Sequence, residues 1–303
     1  MFPGFPRTGG ENGYLPGMLV LRALGIGDLL VAVPALRGLR AVTDRVVLAA
    51  PSWLSPLVEL TGCVDELLPT PGLGSLRAPA PDVAVNLHGA GPESIADLVA
   101  TSPGRVLTHR HPAFPDLPGP PWVEEQHEVA RWCRLLDWYG IPADPGDLSL
   151  LRPHVASVAP GAVVVHPGAS VATRRWDVPG FAAVARALAA DHRVVVTGSA
   201  PERDLAMAVA GEAGLPEAAV LAGELDLADL AAVVADAAVV VCNDTGVGHL
   251  ATAYGVRSVV LFGPTPPERW GPPADRSQHV VLRASEVSAD EVLAAVRRVL
   301  APV

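Results

Sequence analysis

A short apolar run, a turn of glycine and polar residues, then a stretch of helical period: this unit recurs along a chain of 303 residues. MLVL (18–21) runs into GIGD and then into apolar positions at helical spacing over 29–40, where Pro34 is expected to bend the helix or mark a later start. RVVLAA (45–50) reads as a second strand and WLSPLVELTG (53–62) as a short helix stopped by Gly62. DVAVNLHG (82–89) and GRVLTH (104–109) read as strands, and WVEEQHEVARWCRLLDWYG (122–140) as a long helix closed by glycine. After a proline-rich stretch at 141–161 the alternation restarts. Strands at AVVVHPGA, HRVVVTGSA, AVVVCND and RSVVLFGP alternate with helical patterns at PGFAAVARALAA, PERDLAMAVAGEAG, LADLAAVVADA, TGVGHLATAYG and SADEVLAAVRRVL. Strands separated by helices are joined by crossovers, so they lie parallel, and the helices cover both faces of the sheet. The expected fold class is α/β, with two doubly wound domains facing a cleft. The expected layout is a flexible tail over 1–15, a first domain over 16–150 and a second over 151–303, with a last helix able to pack back on the first.

The composition narrows what such domains can do. Half the residues are hydrophobic and 18% are charged, enough for a large core and against wholesale disorder. Net charge is −10, unfavourable for general binding of nucleic acid or of an anionic membrane face. All 22 basic residues are arginine. Without lysine there is no P-loop lysine, no Schiff-base lysine and no kinase strand lysine, so arginine and backbone amides must meet any phosphate. Cys63, Cys133 and Cys242 lie far apart and read as small buried thiols, not as a disulfide framework or a zinc site. The N-terminus lacks the charged-then-apolar order of a signal peptide, and no apolar run reaches the roughly 18 residues of a membrane helix. We expect a cytoplasmic monomer, at most peripherally bound at the inner face of the membrane.

Four stretches carry chemistry. NDTGVGHL (243–250) follows a buried strand and opens a helix: Asp244 or Thr245 can cap it, Gly246 lets a ligand approach its amides, and His249 stays within one turn. A helix N-terminus with unpaired N–H groups seats an anion, and an N-cap beside a satisfied histidine is the plainer reading. HPGASVATRRWDVPGF (166–181) brings His166, Gly168, Ser170 and the pair Arg174 and Arg175 to another strand end; paired loop arginines are often merely solvated. FGPTPPERW (262–270) brings Gly263 and Thr265 to a third. In a parallel sheet these three loops emerge on one edge and would converge on one anionic ligand. LGIGD (24–28) places Gly25, Gly27 and Asp28 at the first helix start. It fails as a dinucleotide fingerprint, because Leu30 holds the third glycine position, and Asp28 read alone is a good helix cap.

Together, LRALGIGDLLVAVPALRGLR, VHPGASVATRRW, NDTGVGHLATAYG and LFGPTPPERWGP resemble the heptosyltransferases of glycosyltransferase family 9, in family order across residues 18–273. The resemblance implies a GT-B architecture of two Rossmann-like domains, the second holding a nucleotide-sugar donor, and inverting transfer without a metal. It implies that Asp28 takes the proton of the acceptor hydroxyl, that Gly25 and Gly27 line the acceptor side, and that Arg174 stands where relatives usually carry a phosphate-binding lysine. His166, Gly168, Ser170, Asp244, Thr245, Gly246, His249, Gly263 and Thr265 complete the donor side. For the acidic residue that some relatives offer to the ribose, Asp226 or Asp229 is nearest, and Ala228 occupies the place. No cofactor is implied beyond the donor, and no two aspartates are spaced as an Asp-x-Asp metal pair. The acceptor is a glycan, a glycolipid or a small molecule. A nucleotide-sugar 2-epimerase-like enzyme and a non-catalytic sugar-nucleotide binder share this layout. A nicotinamide oxidoreductase lacks its final glycine, and a serine hydrolase its G-x-S-x-G elbow.

Overall fold

The computed structural model describes residues 17–301; the expected tail at 1–15 lies outside the described residues. The chain forms two compact units divided between Leu148 and Ser149. The first contains β1 (Met18–Leu21), α1 (Ile26–Arg40), β2 (Val46–Ala50), α2 (Ser55–Thr61), β3 (Glu66–Pro69), β4 (Val83–Asn86), α3 (Glu93–Ala100), β5 (Arg105–Leu107) and α4 (Glu128–Trp138). Its sheet is parallel in the order β3-β2-β1-β4-β5. Met18 pairs with Val46 on one side and Val83 on the other, so β1 is central, and all four of its residues are buried.

The second unit contains β6 (Val163–His166), α5 (Val178–Leu188), β7 (Val194–Val196), α6 (Arg203–Ala213), α7 (Leu227–Ala235), β8 (Val239–Asn243), α8 (Gly246–Ala253), β9 (Ser258–Phe262), α9 (Pro267–Trp270), β10 (His279–Arg283) and α10 (Ala289–Leu300). Its order is β10-β9-β8-β6-β7, again parallel. The expected pair of parallel, helix-covered sheets is thus observed. In each sheet the winding reverses once, between β1 and β4 and between β6 and β8. A doubly wound sheet opens a crevice for ligands beyond the carboxyl ends of the strands at such a reversal.

Local chemistry accounts for the helices. Asp177 accepts a hydrogen bond from the Gly180 amide (2.6 Å) and caps α5, with Pro179 in its first turn. Ser288 and Glu291 form a capping box at α10. Gly62 ends α2 and Gly214 ends α6, both in the left-handed conformation that glycine adopts without strain. Phe181, fully buried, meets Trp176 edge to face at 5.2 Å in the core where α5 and α10 cover the sheet.

Three departures from the sequence reading have physical causes. Helix α1 starts at Ile26 and runs through Pro34, so proline marks no later start. Helix α4 starts at Glu128, not at Trp122: the buried Arg131 guanidinium binds the carbonyls of Val123, Glu124 and Gln126, which therefore serve a side chain instead of a helix. Strands β3 and β10 were not expected: each lies at a sheet edge and is only partly buried, and its apolar run is short, Leu67 and Leu68 in β3 and Val280 to Leu282 in β10. Among the described residues no helix is long and apolar enough to cross a membrane.

Candidate active site

The second unit's reversal point carries polar residues where both strands end. Asn243, the last residue of β8, is completely buried. Its Nδ2 donates to the carbonyls of Pro167 (2.9 Å) and Gly168 (3.3 Å), and its Oδ1 accepts from the Trp176 amide (2.9 Å). One amide group thus ties the loop after β6 to the end of β8. The loop after β9 closes from the other side: a Cβ on Gly263 would stand 3.1 Å from the Thr173 carbonyl oxygen and 3.2 Å from Arg174 Cα. The three loops expected on one edge do meet.

Asp244 is 6% exposed. Burial raises its pKa, while a hydrogen bond with the Thr265 side chain and the Arg174 charge pull it back. Arg174 Nη1 stands 3.9 Å from Asp244 Oδ2, which has no hydrogen-bond partner in the described structure. Thr245 is the N-cap of α8; its Oγ1 accepts from the Val247 amide (3.2 Å). No acidic residue occupies the first turn of α8, so its N-terminal partial charge is unopposed from within the helix. Gly246 is the first helical residue, without a side chain to shield the amides. His249 lies one turn on, its ring edge against Trp270 at 6.1 Å.

On the β7 side, His166 ends β6 and Glu202 follows β7. His166 is 7% exposed, with Nδ1 3.0 Å from Thr197 Oγ1. Burial pushes its pKa down to about 4, against the pull of Glu202, so near neutrality it carries no charge for a phosphate. Glu202 is pinned by the Ser199 amide (2.9 Å) and hydroxyl (2.7 Å). Burial would raise its carboxyl, but those bonds together with His166 and Arg175 outweigh it and hold it low. A Cβ on Gly168 would fall 2.3 Å from Glu202 Oε1, so the carboxylate packs over the bare backbone of the loop after β6. Ser170 is exposed on that loop, and Arg175 is anchored to the Ala169 carbonyl (3.2 Å). Asp226 is engaged otherwise: its Oδ1 caps α7 by accepting from the Asp229 amide (2.8 Å). Glu202, not foreseen in the sequence, is a second carboxylate at these loops, packed over Gly168. Its signal was a polar turn after β7, but that β7 adjoins β6 is a fact of strand order.

The first unit's reversal point carries Asp28. It is the third residue of α1, and its Oδ2 accepts from the Gly25 amide (3.3 Å), so it does cap the helix. Gly25 is the N-cap and Gly27 the second helical residue. Asp28 Oδ1 also accepts from Arg22 Nη2 at 3.2 Å, with 29% of the carboxylate side chain still exposed. His88, just past the end of β4, completes the group; burial and then Arg22 lower its pKa, with Asp28 and Asp97 opposing.

A family model described as glycosyltransferase family 9 (heptosyltransferase) matches residues 118–294, more than half of the sequence. The chain belongs to glycosyltransferase family 9. The match covers every residue named above at the β6–β8 reversal and does not reach Asp28. Lipopolysaccharide heptosyltransferase 1 of Pseudomonas aeruginosa is 40% identical over 151 residues. That stretch is 47% of this chain and 41% of the relative, so the match spans about two fifths of the relative's length. A family 9 glycosyltransferase structure from Veillonella parvula superposes with a TM-score of 0.79 at 18% identity, covering 95% of this chain and 97% of that one. The E. coli heptosyltransferase WaaC with ADP gives 0.75 at 18% identity, covering 94% and 100%. These two likenesses show that the family 9 member shares their fold.

Proposed function

We propose that this protein transfers a heptose-type sugar from a nucleoside-diphosphate donor to a hydroxyl of a glycan or glycolipid, with inversion and without a metal ion. The observation that carries the reading is the meeting of three loops at the β6–β8 reversal. There Arg174 and the N-terminus of α8, with no acidic residue in its first turn, offer positive potential to a diphosphate in a protein of net charge −10. The adenine nucleotide bound by the E. coli relative makes ADP the first nucleotide to test. In this reading Glu202 accepts hydrogen bonds from the ribose hydroxyls, in place of Asp226 or Asp229.

The chemistry follows from those roles. The acceptor oxygen forms a bond to the anomeric carbon on the face opposite the diphosphate. Asp28 takes the hydroxyl proton as general base. The carbon–oxygen bond to the phosphate breaks, and its electron pair stays on the departing diphosphate. The α8 amides and Arg174 stabilise the charge that develops there. One in-line displacement inverts the anomeric centre. Among the described residues no three His, Cys, Asp or Glu side chains cluster as metal ligands. The proposed site of action is the inner face of the membrane, where a peripheral protein would meet a lipid-linked acceptor.

The test is a panel of ADP-, UDP-, GDP- and TDP-sugars with envelope glycolipid extracts, with and without EDTA. The reading expects acceptor-dependent nucleotide release, an inverted linkage and no loss with chelator. Sugar isomerised in the absence of acceptor would favour the epimerase instead, and donor binding without any turnover would favour a mere binder.

A further inference from the structure

We infer that Arg22 is a positioning residue for the transfer: it fixes the Asp28 carboxylate and locks the loop after β1 to the loop after β4. The inference rests on the proposed role of Asp28 as base.

Arg22 is 1% exposed. A guanidinium so deep is costly unless every donor is used, and here its fork is used in three directions. Nε donates to the Asp28 carbonyl (2.9 Å) and Nη2 to Asp28 Oδ1 (3.2 Å), so backbone and side chain of one residue are held by one group. Nη1 donates to the carbonyl of Leu87 and lies 3.5 Å from that of His88, both just past β4. The guanidinium carbon lies over the ring of Trp132 of α4, 4.8 Å from its centroid. With Asp28 Oδ2 held by the Gly25 amide, the carboxylate has two anchors and keeps part of its surface open.

Replacing a buried ion pair by well-packed apolar residues is often neutral or stabilising, so stability is a weak reason for this one. Orientation is a better reason. The two loops that Arg22 joins flank the reversal point, and its planar donors hold them at once. An ammonium, which is a point charge, would satisfy one direction and leave the others open.

The experiment compares wild type, R22M, R22K and D28N, with ADP-heptose as donor and a glycolipid extract as acceptor. The readouts are kcat and KM, ADP affinity by calorimetry and thermal melting. The inference expects R22M to lose about 100-fold in kcat, the scale of a misplaced reacting group. ADP affinity and donor KM should stay within about twofold of wild type, and R22K should recover part of the loss. If R22M does not fold, R22K decides: kcat reduced at unchanged KM supports the inference, and wild-type kcat overturns it. Wild-type kcat in R22M while D28N is inactive overturns the inference alone. Parallel loss of ADP affinity and melting temperature in both Arg22 variants would mark a purely structural arginine and overturn it too. D28N turning over like wild type removes the base itself, and the proposed function fails with it.

Discussion

Replacing Arg174 by methionine tests the proposed donor seat. The guanidinium is 38% exposed and stands 3.9 Å from the carboxylate of Asp244. Hydrogen bonds to charged groups contribute about 1.5–3 kcal/mol, and the partial exposure of Arg174 places its proposed bond to the diphosphate in the lower half of that range. A loss of about 1.5–2 kcal/mol corresponds to roughly 10–30-fold weaker binding of ADP. Calorimetric titration at low salt measures it directly. R174K keeps the point charge without the fork and should retain most of the affinity. Because the contact is partly solvated, raising salt from about 0.05 to 0.5 M should narrow the gap between wild type and R174M. R174M binding ADP within twofold of wild type at low salt, or a gap indifferent to salt, would refute the assignment.

Further outcomes follow from the same contacts. In G168A the new Cβ would lie 2.3 Å from Glu202 Oε1, on a carboxylate whose Oε2 Ser199 holds in a capping box; that box must open, costing about 1 kcal/mol, and ADP binding should weaken in calorimetry. His166 has a folded pKa of about 4 against an ordinary 6.5, so between these values the unfolded chain binds the extra proton and stability falls as the pH drops. The shift corresponds to about 3 kcal/mol, fully present above 6.5 and lost as the pH falls through about 4. Urea titrations at neutral and acid pH should therefore show a flatter dependence for H166Q; an unchanged one would refute the assignment. Phe181→Ala, at a fully buried position, should cost about 3–5 kcal/mol in chemical denaturation.

Much of this site stands in the sequence because strands announce their own ends. VVVH and VVVCN stop at His166 and Asn243, and in a parallel sheet the stop is the ligand edge. The role of Asn243 was less visible, since an asparagine ending a strand does not say which carbonyls it will bind. Glu202 could not be placed for a related reason: its contact with Gly168 spans 34 positions and depends on β7 lying beside β6. Arg22 did leave a signal. A lone charge in the apolar context of MLVLRAL needs a buried partner, and Asp28 lies six residues on, but Trp132 and the carbonyls past β4 belong to tertiary structure. The edge strands and the shortened α4 were hidden because their residues answer to neighbours instead of to periodicity.

The account turns on a diphosphate seated at the start of α8, and amide NMR of the isotope-labelled protein during an ADP titration reads that directly. Saturable shifts centred on the backbone amides of Gly246, Val247 and Gly248, lost together with ADP affinity in R174M, are the predicted result. ADP that saturates the protein while those amides stay still would contradict the account.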